Sequence, residues 1–314
     1  MKLIISILLI VFLIITGCVQ KQYPDVSRES VIPKNATKVT PETDLFPPIL
    51  HSNEYHDPIP LSSGVNSKGG EDSPFITPDG KTMYFFFTPD VSVPPQLQVI
   101  DNVTGIWVSK KINGVWGEAE RVHLIEPGEL SLDGCEFVQG KIMWFCSVRK
   151  GNHKEIDFYT AEFKDGNWTN WKNAGKKLNV DIKIGEMHMS ADGTEIYYHS
   201  GESGKGGYDL FVTKKVNGEW QAAQNLKTLN TELNEGWPYL SQDGSELWFT
   251  RFHQGYPAIF RSKKVNGSWG EPELILSQFA AESTLDNEGN IYFAHHFFEN
   301  GTMIEADIYV AKKK

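Results

Sequence analysis

Six carboxylates recur near the starts of short apolar runs: Asp72, Asp133, Glu136, Glu186, Glu235 and Glu282. If a fold brings those starts to one place, the carboxylates would raise one another's pKa. Such a group can hold a cation, or it can act as acid and base on a glycosidic bond, with Glu186, Glu235 and Glu282 as the candidate catalytic residues. The plainer reading is structural: an acid at a repeated position accepts backbone N–H bonds and fixes the loop that enters a strand. A catalytic pair should break the symmetry of a repeat, and none of these acids plainly does. A structural role is therefore the first expectation, and if the acids do take a ligand the candidate binding residues are all six together with Trp237, whose indole could stack on a sugar ring, as could those of Trp107 and Trp171. No metal site is expected, because His188, His199, His253, His295 and His296 have no spacing that forces convergence. No cofactor is expected beyond a structural or channel-bound cation.

The elements that must position these residues are set by a repeat. Asn113-Gly114-Val115-Trp116, Asp165-Gly166-Asn167-Trp168, Asn217-Gly218-Glu219-Trp220 and Asn266-Gly267-Ser268-Trp269 place their glycines 52, 52 and 49 residues apart. Asn-Gly or Asp-Gly between β-rich runs predicts a type I′ hairpin, which needs positive φ at both central residues. A hairpin at that period marks a repeat architecture of small sheets. In one copy, residues 186–190 and 195–200 read as strands around Asp192-Gly193, residues 208–213 as a third strand, and the segment from Trp220 as a fourth.

Five copies of this unit can be laid over one another, starting near Ser73, Glu136, Glu186, Trp237 and Ser283. The fifth stops at Lys314, where its fourth strand should begin. Residues near 58–66 are expected to supply the missing outer strand, closing a ring and covering an exposed edge. The near-continuous apolar second strands, such as Met83 to Phe87, suit sheets buried on both faces. The expected fold is all-β: a five-bladed β-propeller of four-stranded antiparallel blades. Asp157, Asp209 and Asp307 open third strands and read as turn-fixing residues. Lys110-Lys111, Lys214-Lys215 and Lys263-Lys264 suit a solvated rim.

The N-terminus is of another kind. Lys2, an apolar run from Leu3 to Ile15 and then Thr16-Gly17 make a secretory signal, too short to span a bilayer comfortably. Residues 18–45 lack apolar periodicity and read as a flexible tether, leaving residues 46–314 as the propeller domain. The net charge is −10 with no basic block, which excludes nucleic acid as a partner. Cys135 and Cys146 sit on neighbouring expected strands. A bridge or two small buried hydrophobes both fit that placement.

Two resemblances follow from these residues. Ile15-Thr16-Gly17-Cys18 resembles the lipobox of prokaryotic lipoproteins, which implies cleavage before Cys18, acylation of Cys18, and anchoring at an extracytoplasmic membrane face. The x-Pro-x-x-Ser-x-Asp-Gly-x-x-Leu-Tyr-Phe pattern, followed by Asp-Ile-Tyr-Val and Asn-Gly-x-Trp, resembles the TolB-type, WD40-like β-propeller repeat over about residues 58–314. Gln139-Gly140 and Asn287-Glu288-Gly289 depart from its Asp-Gly turn, and five copies depart from the six blades usual in TolB. The resemblance implies a propeller with a binding or scaffolding role and no particular reaction. The expected function is thus a cell-envelope lipoprotein that binds a protein, peptide or glycan. The alternative is a glycoside hydrolase working through funnel carboxylates, since Glu235-Gly236-Trp237-Pro238 faintly resembles segments of five-bladed glycosidases.

Overall fold

A computed structural model describes residues 22–23, 26–201 and 204–314. The signal segment and Cys18 lie outside the described residues. Antiparallel β-strands dominate the rest. The first strand group pairs Gly70–Ile76, Thr82–Thr88 and Gly105–Ile112. The second pairs Ser131–Gln139, Ile142–Arg149, Asp157–Lys164 and Asn167–Asn173. The third pairs Met187–Met189, Glu195–Ser200 and Asp209–Val216. The fourth pairs Glu235–Leu240, Glu246–His253, Tyr256–Val265 and Glu273–Ser277. The fifth pairs Ala280–Leu285, Ile291–Glu299 and Thr302–Ala311. Ile59–Pro60 pairs with the last of these strands, Ile59 opposite Val310 and Pro60 opposite Tyr309.

The turns follow from their sequence. Asn113, Asp165, Asn217 and Asn266 have φ of 50–52°, and the glycines after them 80–87°, the left-handed conformation that type I′ turns require. The strand after most of these turns is not continuous, however. Val115–Trp116, Glu219–Trp220 and Ser268–Trp269 each pair for two residues, and the chain then leaves the ladder before pairing again. The exit is fixed by a hydroxyl on the third strand. Ser109, Thr213 and Ser262 donate to the carbonyls of Gly117, Gln221 and Gly270 at 2.6–2.7 Å. Only the second group keeps a long outer strand, Asn167–Asn173.

The inner strands of all five groups face one centre. Residues 73–75, 135–137, 186–188, 237–239 and 282–284 line a single cavity of about 60 Å³. Apolar clusters fill the spaces between groups. One joins Phe75 and Tyr84 to Phe137, Phe145, Met187 and Tyr198, and another holds Trp248, Ile259, Phe293 and Tyr309. Burial of this kind contributes about 25 cal/mol per Å² of apolar surface.

The segment expected to be a free tether packs on the domain wherever it is described. Arg28 is buried, bonds Glu71 at 3.1 Å and lies over the rings of Phe85, Phe87 and Trp107. Ile32 joins the core beside them. Lys38 pairs with Glu305 and Asp307, Asp44 bonds His295 at 2.9 Å, and Ile49–Leu50 adds a strand to the edge of the fourth group. Composition missed this because the docking combines two cations with apolar residues at irregular spacing, Val26, Val31, Ile32, Ala36 and Val39. Among the described residues, no helix is long and apolar enough to cross a membrane.

Candidate functional site

Four of the six acids gather at the centre, and two do not. Glu136, Glu186 and Glu282 line the central cavity, with Asp72 one residue before the first lining segment. Asp133 is buried and accepts from Arg149 Nη2 and Ser147 Oγ at 2.6 Å and Ser131 Oγ at 2.8 Å. Glu235 is buried and accepts from Arg251 Nε at 2.8 Å and Thr231 N at 3.1 Å. These two are buried ion pairs, and neither Asp133 nor the catalytic candidate Glu235 lines the central cavity. Glu71 is the corresponding acid of the first group.

Aligning the inner strands on their bulges and on the residues that line the central cavity shows why the equivalence expected from sequence fails. Glu71, Asp133 and Glu235 share one repeat position, Asp72 follows it, Glu186 and Glu282 occupy the next, and Glu136 the one after. A β-bulge interrupts four of the inner strands here, and Ser73, Cys135, Trp237 and Glu282 take φ of 46–56°. A bulge re-aims side chains at such points. The central acids therefore break the repeat's symmetry. The bulge also brings Cys135 to Cys146, and the two form a disulfide with Cα atoms 5.4 Å apart.

The acids differ in environment as they differ in position. His296 Nε2 lies 3.3 Å from both oxygens of Asp72. Burial opposes ionisation of Asp72, but the charge and hydrogen bond of His296 outweigh it and hold this carboxyl below its usual range. Burial would lower His296, yet Asp72 raises it overall. Glu282 accepts from Ser73 Oγ at 2.6 Å and hydrogen-bonds Asp72. Burial first, then the charges of Asp72 and Glu186, push Glu282 well above the carboxylate range. Glu186, bonded by the Trp237 indole, is pushed up to about 8 by burial and by Asp72. Glu136 is also raised, chiefly by burial, and neither of its carboxyl oxygens has a hydrogen-bond partner. The centre thus sets one carboxyl held low, Asp72, among three whose ionisation is opposed, Glu136, Glu186 and Glu282. Among the described residues, no three His, Cys, Asp or Glu side chains are grouped to hold a metal ion.

Two histidines that sequence left unassigned join the third group to the fourth. Trp237 N donates to His199 Nδ1 at 3.3 Å and Leu240 N to His188 Nδ1 at 3.2 Å. Burial lowers these imidazoles to about 4 and about 3, so both are neutral acceptors. Asp157 and Asp209 fix turns as expected, taking amides of His153 and Lys205–Gly206. Asp307 instead meets Lys38. Trp107 is buried with its indole on Val103 O, and Trp171 bonds Trp168 O, so neither presents a free indole N–H.

The more open space lies beside the centre, between the fourth and fifth groups. A pocket of about 570 Å³ is walled by Phe46, Trp237, Phe252, Tyr256, Phe279 and Phe298, with Thr250, Glu282 and His296 as its polar groups. Phe279 organises the wall: it stacks on Phe298 at 4.4 Å and meets Tyr256 at 4.5 Å and Phe46 at 5.6 Å between centroids. Gln278 and Phe279 both have positive φ, 64° and 57°, a costly conformation for side-chain-bearing residues that is kept where surrounding structure demands it. Sequence reasoning missed this pocket, because its residues come from the N-terminal segment and two hairpin ends outside the repeated motifs. A second space, about 710 Å³, opens at the opposite end of the channel among the Asp-Gly turns.

No known family matches the sequence, and no characterised protein matches it. Its shape is similar to TolB from Acinetobacter baumannii, with 15% identity, 80% of this chain and 56% of that chain covered, and a TM-score of 0.49. It is similar to α-L-arabinofuranosidase from Lactobacillus brevis, with 11% identity, 80% and 92% covered, and a TM-score of 0.49. It is also similar to the xyloglucan PUL GH43B of Bacteroides ovatus, with 12% identity, 80% and 53% covered, and a TM-score of 0.47. The chain thus spans little more than half the length of the Acinetobacter protein. These likenesses assign neither a family nor an activity. The strand groups facing one centre make the chain an all-β protein of propeller type.

Proposed function

We propose that the chain is an extracytoplasmic, membrane-anchored lipoprotein whose β-propeller binds a protein or peptide of the cell envelope without catalysis. In this reading the five strand groups are blades, and Ile59–Pro60 closes the ring on the last. The segment ending at Cys18 supplies the export signal and the lipid anchor. A disulfide between Cys135 and Cys146 agrees with an oxidising compartment.

The observation that carries the reading is the aromatic pocket around Phe279. Its size and mostly apolar wall suit a bound organic group. Its three polar side chains are already engaged: Thr250 Oγ1 by Glu282 N, Glu282 by Ser73, and His296 by Asp72. A glycan would find few free partners there, whereas an aromatic or aliphatic side chain of a peptide needs none. A glycosidase holds its two carboxyls about 5–10 Å apart across the scissile bond, and the pair Asp72 and Glu282 is closer than that, hydrogen-bonded to each other.

The test is a peptide array and a glycan array probed with the full chain in detergent micelles, followed by calorimetric titration of the hits. Peptides with apolar side chains should bind, and Phe279→Ala should weaken them by at least about tenfold, as expected for a central aromatic contact. Hits confined to glycans, or peptide binding indifferent to Phe279→Ala, would overturn the proposal.

A further inference from the structure

Both ends of the strand groups expose large apolar residues, Ile112, Val115, Val216 and Val265 among them at the turn end. In each group the inner strand begins at the same end at which the second strand finishes and the third begins. Six large apolar residues stand out at that end: Leu97, Ile100, Ile156, Tyr208, Leu233 and Tyr256, each between 42% and 53% exposed. They come from the loops between second and third strands in the first four groups, and from the approach to the fourth inner strand. Scattered exposed apolar residues need no explanation by themselves; what singles out the strand-start face is the course of the N-terminal segment.

The chain itself says what lies against this face. Tyr23 donates to Ile125 O at 2.6 Å and stacks on His123 at 3.8 Å between centroids. Both residues lie in the connection that leads to Ser131–Gln139 at the same end. The segment then crosses this end through Arg28, Lys38 and Asp44 to Phe46 at the aromatic pocket. Cys18 precedes Tyr23 by five residues, so it can lie no farther from it than roughly 18 Å even in fully extended chain. That reach is too short to hold the domain clear of a membrane.

We infer that the strand-start face of the protein lies on the bilayer surface, with these exposed apolar side chains inserted at headgroup depth. The inference rests on the lipoprotein reading above. Tyrosines at a bilayer interface keep their hydroxyls in the polar layer and their rings in the apolar one. Aliphatic residues around them add buried area, and an acyl anchor supplies the second signal that makes such contact persistent. The aromatic pocket then opens toward the membrane plane, where a ligand would meet it laterally.

The test uses the full-length lipidated protein reconstituted in vesicles of phosphatidylethanolamine and phosphatidylglycerol. Ile156→Cys and Tyr256→Cys are labelled with an environment-sensitive fluorophore in separate samples, and Val265→Cys, at a turn of the opposite end, serves as control. Spin-labelled lipids should quench the first two labels at least about threefold more than the third, as insertion to interfacial depth demands. Equal quenching at all three, or stronger quenching at Val265, with the protein still floating with the vesicles, would overturn the docking and leave the anchoring intact. Protein that does not float with vesicles, and is unchanged by Cys18→Ala, would overturn the anchoring reading and the docking with it. Shielding seen in native membranes but not in pure-lipid vesicles would overturn the bilayer as occupant in favour of a membrane protein.

Discussion

The two ends of the channel are built by opposite rules. At the turn end the same bonds recur from group to group. Thr77, Ser190 and Ser241 donate to Asp79, Asp192 and Asp243 at 2.6–2.7 Å, and the amides of Lys81, Thr194 and Ser245 meet the same aspartates at 3.0–3.1 Å. Among the four central acids at the strand-start end the partners do not recur: His296 for Asp72, Trp237 for Glu186, Ser73 for Glu282 and no hydrogen-bond partner for Glu136. Repetition builds the scaffold, and the departures from repetition collect where an aromatic pocket opens. The larger space, at the turn end, is lined by the repeated parts.

The same contrast appears in how buried charges are met. Glu235 finds Arg251 on the adjacent strand, as the repeat provides. Glu71, at the same repeat position, faces Phe87 across its ladder and takes its cation from Arg28 in the N-terminal segment. The largest expected effect of any single change therefore falls there. Arg28→Ala strips a buried carboxyl of its partner at a cost of about 3–5 kcal/mol, which lowers Tm by roughly 10 °C for a domain of this size. Burial lifts Glu71 to about 7 despite the guanidinium, so the loss should be larger at pH 8, where the acid must ionise, than at pH 5, where it is neutral. Equal losses at both pH values would mean that Arg28 acts through packing alone.

A smaller effect concerns pH in the unaltered protein. Glu186 and Asp307 are raised to about 8 and Glu71 to about 7. Between the ordinary carboxylate range and those values these three carboxyls keep protons that the unfolded chain has lost, so their contribution to stability is fully present at low pH and declines as pH rises toward 8. Below the ordinary histidine value of 6.5 the lowered His188 and His199 act in the opposite sense, so the carboxyls are read above it. Thermal melts from pH 7 to pH 8.5 should show a falling Tm, and Glu186→Gln should flatten part of that slope. A Tm rising over that interval would contradict the upward shifts of these carboxyls. The smallest effect belongs to the turn end: Asp243→Ala removes one of several equivalent turn-fixing acids, costs about 1 kcal/mol, and leaves ligand affinity unchanged.

Much of the fold was legible in the chain. Asn-Gly signatures fix hairpins through backbone sterics alone, and apolar runs such as Met83 to Phe87 announce sheets covered on both faces. The strand ranges follow from these local rules. The site was less legible, for two reasons. A bulge shifts side chains by one position without changing the motif around it, so Asp72, Glu136 and Glu282 looked equivalent to Asp133 and Glu235 when they are not. And the pocket is assembled from Phe46, Tyr256, Phe279 and Phe298, which no period relates. The N-terminal segment misled for a third reason: its docking joins Arg28 and Lys38, residue types that composition counts as solvated, to apolar residues such as Ile32 that follow no period.

The most direct measurement uses methyl-labelled methionine in the full chain. Met303 lines the aromatic pocket, whereas Met189 lines the space at the turn end. On titration with a peptide selected by the array, the Met303 methyl resonance should shift in proportion to occupancy while that of Met189 stays in place. Movement of Met189 with Met303 unmoved would put the ligand at the opposite end and contradict the account.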